Sequence, residues 1–147
     1  MNWKTHLIAA TLLALPLTVA PASAKPVDWA VVSDSFDEAA KGAAQVAGRT
    51  GVAKCAGYWS SWMKAINDGA LERDDLRQLP EALRADKATD YKNGWENALY
   101  DADNPDYAGY EKGQTEGNGW LSDGLNGKPE AVSTMVTALG GCTVLPK

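Results

Sequence analysis

The chain has 147 residues, enough for one domain with a sizeable core, and a formal net charge of −5. An acidic balance of this kind disfavours nucleic acid and anionic lipid as partners. Histidine occurs once, at His6, and cysteine twice, at Cys55 and Cys142, which limits the chemistry open to the chain.

The first 24 residues read as a cleaved signal peptide. Lys4 provides the basic start, residues 7–19 are apolar, and Ala22-Ser23-Ala24 provides small residues for a signal peptidase. The apolar run is short of the roughly 20 residues that span a bilayer, and Pro16 interrupts it. The expected organisation is therefore a leader over 1–24 and a single helical domain over 25–147, with no membrane insertion after cleavage. The expected address is the periplasm, with secretion as the alternative.

Cleavage would remove Lys4 and His6 together. The mature domain would then have no imidazole for a Ser-His-Asp or Cys-His arrangement, for zinc or for haem. No metal and no cofactor are expected. In an oxidising compartment an even pair of cysteines bonds. Cys55 and Cys142 allow only one intramolecular pairing, so that disulfide is expected.

After a short lead-in, Ser35-Phe36-Asp37-Glu38 has the pattern of a capping box. Val32, Phe36, Ala39, Ala43 and Val46 share one face of the predicted first helix, with Gly48 and Gly51 as its end. The second helix has the clearest stripe: Val52, Cys55, Trp59, Trp62 and Ile66, widened by Ala56 and Met63. Asn67-Asp68-Gly69 stops it. Residues 72–78 read as a short helical turn, and Pro80 suits the first position of the next helix. Ala88, Tyr91, Trp95 and Leu99 carry that helix's face, and Gly94 within it predicts close packing or a break.

An acidic linker follows, from Asp101 to Asp106. Asn104 and Pro105 read as an N-cap and first helical residue. Tyr107, Tyr110, Gln114, Gly117, Leu121 and Leu125 then keep helical spacing. Pro129 opens a last helix with Val132, Met135, Val136 and Leu139 inside, closed by Gly140-Gly141. The expected fold class is all-α: a compact bundle or orthogonal array of about five helices plus one short one, stapled by one disulfide.

Three features compete as sites. Gly109, Gly113 and Gly117 recur every four residues, which implies either close helix packing or a groove floor for a partner. Tyr100, Tyr107 and Tyr110 cluster beside Asp101, Asp103 and Asp106, a composition suited to a protein interface or to stacking on sugar rings. Glu96, with Asp101 or Glu111, is the candidate for carboxylate catalysis. The linker starts like a calcium loop at Asp101 and Asp103, but Pro105 and Lys112 stand where ligands belong, so capping explains it more simply.

The residues favour an exported, non-enzymatic protein that binds another protein of the cell envelope, with the general build of inhibitor-like or immunity-like proteins. A glycan-binding or small-ligand module is the alternative. A carboxylate-only enzyme acting on envelope glycans is the third reading.

Overall fold

The structure is a computed structural model that describes residues 25–147. The leader expected over 1–24, with His6, lies outside the described residues. The order is α1 (Trp29–Lys41), α2 (Arg49–Asn67), the short α3 (Arg73–Gln78), a 3-10 turn (Glu81–Leu83), α4 (Ala85–Tyr100), α5 (Tyr107–Leu125) and α6 (Glu130–Gly141). No strand occurs among the described residues, so the all-α expectation holds. None of these helices is long and apolar enough to cross a membrane.

Helix α1 begins earlier than the capping box predicts. Asp28 is the cap, and its carboxylate accepts from the amides of Ala30 at 3.1 Å and Val31 at 3.4 Å. Ser35 lies inside the helix and donates to the Val31 carbonyl at 2.8 Å. A serine one turn into a helix satisfies its hydroxyl on the i−4 carbonyl, so it has no call to cap. The helix also ends sooner, at Lys41, and Ala43 and Val46 lie in the connection. Gly48 does not end α1. It precedes α2 at φ 80°, a left-handed value that glycine adopts without a Cβ clash. Gly51 lies in the first turn of α2, where a Cβ would overlap the Val46 side chain.

Helix α2 is the hub, and packs against α5, α4 and α6, while α1 lies on α6. Most of its stripe is buried as the spacing predicts: Cys55, Ala56, Trp59, Trp62 and Met63 face the core, while Val52 and Ile66 at the two ends are half-buried. Burying indole carries a polar N–H inside, and such a group needs a partner. Trp62 Nε1 donates to the Leu83 carbonyl at 2.8 Å. Trp59 and Trp95 both donate to the Cys142 carbonyl, at 3.2 Å and 2.7 Å. Trp59 also stacks on Tyr91, with ring centroids 4.7 Å apart.

Cys55 and Cys142 are joined by a disulfide, with Cα atoms 5.6 Å apart. It ties α2 to the residue that closes α6, beside the two indoles that hold the same residue's carbonyl. From there the C-terminal segment crosses α4, and Leu145 fills the notch at Gly94, where a Cβ would meet Leu145 Cδ1 at 2.8 Å. Gly94 therefore marks close packing by the tail, and α4 runs through it unbroken.

Pro80 differs from expectation: it precedes the 3-10 turn, and α4 starts at Ala85. Pro129 sits just before α6 with helical angles, φ −57° and ψ −24°, as an N-terminal proline should.

Candidate functional site

The linker from α4 to α5 forms one corner of the molecule. Asn104 is not the cap of α5. Asp106 is: its Oδ1 accepts from the Gly109 amide at 2.8 Å, and its Oδ2 accepts from Thr50 Oγ1 at 2.8 Å. The Gly109 amide, then Thr50 and the Arg49 charge, lower the Asp106 pKa from the ordinary carboxylate value. Arg49 Nη1 donates to the Asn104 carbonyl at 3.1 Å, so the start of α2 fastens the linker in two places. Asp106 is thus spent on capping and docking, and the likeness to a calcium loop ends there.

Tyr100 and Tyr107 come together at this corner. Their ring centroids are 6.2 Å apart, tilted by 39°. They are 52% and 55% exposed, and rank among the few large hydrophobic side chains that face solvent. Asp101 and Asp103 beside them are exposed too, and neither forms an ion pair among the described residues. On another flank of the same linker, Gly48, Arg49, Val52, Ala98, Leu99, Ala102 and Asp106 line a mostly apolar open cleft of about 300 Å³.

Tyr110 does not join the exposed pair. It is half-buried on α5 beside Glu96 of α4 and Ser60 of α2, and its hydroxyl lies 3.0 Å from Glu96 Oε1, to which it donates. Gln114 Nε2 donates to that hydroxyl at 3.1 Å and to Ser60 Oγ at 3.0 Å. Burial, then the Glu96 charge, raises the Tyr110 pKa, with the Ser60 hydroxyl acting the other way. Glu96 Oε2 takes Lys92 Nζ at 2.6 Å, so both of its oxygens are engaged inside the protein. A catalytic acid needs its proton aimed at a substrate, and Glu96 is turned instead to Lys92 and Tyr110.

The glycine row lies inside the fold. Gly109, Gly113 and Gly117 are all buried. A Cβ at Gly113 would stand 2.7 Å from the Lys54 carbonyl oxygen and 3.3 Å from Gly57 Cα. A Cβ at Gly57 would in turn stand 2.5 Å from the Tyr110 carbonyl oxygen. The two helices approach backbone to backbone, and only glycine leaves the room. As binding candidates, Gly109, Gly113 and Gly117 are corrected to internal contacts: α2 already occupies the floor they would offer.

A second polar group, not foreseen in the sequence, flanks this contact. The Tyr58 hydroxyl donates to Glu116 Oε2 at 2.7 Å, and Lys54 Nζ lies 3.3 Å from the same oxygen. Tyr58 also packs on Trp120, with ring centroids 5.4 Å apart. Burial and the neighbouring Glu116 raise the Tyr58 pKa, while Tyr58, Lys54 and Lys112 lower that of Glu116. The residues meet only because α2 and α5 come close, and no local spacing announces it.

Comparison with known proteins gives no matching family model, no matching curated protein and no matching solved structure.

Proposed function

We propose that this is an exported, non-enzymatic protein of the cell envelope that binds another protein through the corner between α4 and α5. The observation that carries this reading is the pair Tyr100 and Tyr107, more than half exposed at 52% and 55% on a part of the fold fastened by Arg49 and Thr50. Tyrosine gives a large contact area for little lost rotamer freedom, and preorganised aromatic anchors dominate binding energy at interfaces. The disulfide supports an oxidising address. The build is that of an inhibitor-like or immunity-like protein: a small rigid scaffold whose action is to occupy a partner.

The test is affinity capture from an envelope extract with the protein starting at Lys25, beside a Tyr100→Ala/Tyr107→Ala variant of equal melting temperature. A stoichiometric protein retained by the first and lost by the second is the expected result. Retention by both would move the interface elsewhere on the molecule.

A further inference from the structure

The corner also has a charge pattern, and it identifies the chemistry of what the tyrosines meet. From Asn93 to Glu111 the chain carries Glu96, Asp101, Asp103, Asp106 and Glu111 and no lysine or arginine. The fold compensates two of these acids from elsewhere. Lys92 pairs with Glu96 at 2.6 Å, and the Arg49 charge acts on Asp106. The Lys112 charge acts on Glu116, one turn further along α5. Lys147 lines one cleft with Asp101, yet forms no ion pair with it. Asp101 and Asp103, in the stretch between the two open rings, and Glu111, one turn after Tyr107, are exposed and form no ion pair among the described residues.

An exposed phenol pair attracts a cation through the negative faces of its rings, and arginine adds planar stacking and a fork that matches carboxylates. A lone acidic surface attracts any cation loosely, and a lone aromatic pair takes any apolar group. Both together select a group that is flat, partly apolar and positive. Resting on the protein-binding reading above, we infer that the partner presents an arginine at this corner: its guanidinium lies against Tyr100 and Tyr107 and pairs with Asp101 or Asp103. The partner surface around that arginine is basic, complementary to the acidic balance of this chain.

The probes are N-acetyl-arginine methylamide and its neutral isostere N-acetyl-citrulline methylamide, titrated into the isotopically labelled protein and followed by amide chemical shifts. The arginine compound should shift residues 100–108 saturably, with a dissociation constant on the order of 10 mM from one exposed stacking contact and one exposed charge pair. The citrulline compound should leave them in place. Asp101→Asn/Asp103→Asn should weaken the arginine compound about threefold or more. Equal shifts from both compounds, or shifts scattered over the whole surface, would overturn the inference. If citrulline equals arginine while Tyr100→Ala/Tyr107→Ala still loses the captured protein, the cation is wrong and the protein-binding corner stands. If arginine binds as expected while that variant keeps the captured protein, the partner does not seat its arginine here and the inference is overturned.

Discussion

The Cys142 carbonyl accepts from two indoles, and this small group of atoms holds three parts of the chain together. Trp95 is fully buried and makes the shorter of the two bonds, at 2.7 Å. Trp95→Phe keeps most of the apolar volume but removes the donor and leaves a gap. It should cost about 1–3 kcal/mol, read as a lower urea midpoint at unchanged slope. Two carboxylates give the pH dependence. Asp106 and Glu116 have folded-state pKa values below their ordinary ones, so both bind fewer protons folded than unfolded at mildly acid pH. Their stabilisation is present above the ordinary carboxylate value and is lost as pH falls through the lowered ones. Asp106→Asn and Glu116→Gln should each flatten the acid side of a plot of unfolding free energy against pH. Asp106→Asn should leave the alkaline side unchanged, whereas Glu116→Gln should also change it, because Glu116 helps raise the Tyr58 pKa. At this scale the sequence shows its buried tryptophans plainly, because their spacing repeats every three or four residues. It does not show which of Asn104 and Asp106 caps α5. Both are good caps, and Thr50, 56 residues away, decides for Asp106.

Among the elements, α2 and α5 make the closest contact, and glycine sets its depth. Gly113→Ala would improve helix propensity by about 1 kcal/mol. The added Cβ would stand 2.7 Å from the Lys54 carbonyl oxygen, which is backbone and cannot swing aside. Overpacking of this kind typically costs about 1–3 kcal/mol, so the net effect is a lower melting temperature. The same substitution at Gly119, where a Cβ meets nothing within 4 Å, should raise it. Comparing the two variants separates packing from propensity. The row Gly109, Gly113 and Gly117 was legible as unusual, since helices avoid glycine. Its partner was not, because Gly57 shares α2 only with Gly51, six residues earlier, and the two form no row of their own. The boundaries of α1 fail for a related reason. Ser35 and Glu38 fit a capping box, but Trp29 and Val32 are buried and the helix extends back to include them. Burial of apolar residues outweighs one good cap.

For the whole molecule, the disulfide closes a loop of 87 residues between α2 and the end of α6. Loop entropy assigns it roughly 4–5 kcal/mol, and Cys55→Ala/Cys142→Ala should lose most of that, measured by urea unfolding of both forms without reductant. The pairing was readable from cysteine arithmetic alone. The exposure of Tyr100 and Tyr107 was not: three tyrosines in one stretch look alike in sequence, and only the fold half-buries Tyr110 against Glu96 while turning the other two outward. That separation is the basis for proposing the α4–α5 corner as the binding surface. Hydrogen exchange of the free protein against the isolated complex with its captured partner tests it most directly. Protection gained between Tyr100 and Tyr110, with α1 and α6 unchanged, is the expected footprint. Protection confined to α1 and α6, with the corner exchanging as before, would contradict it.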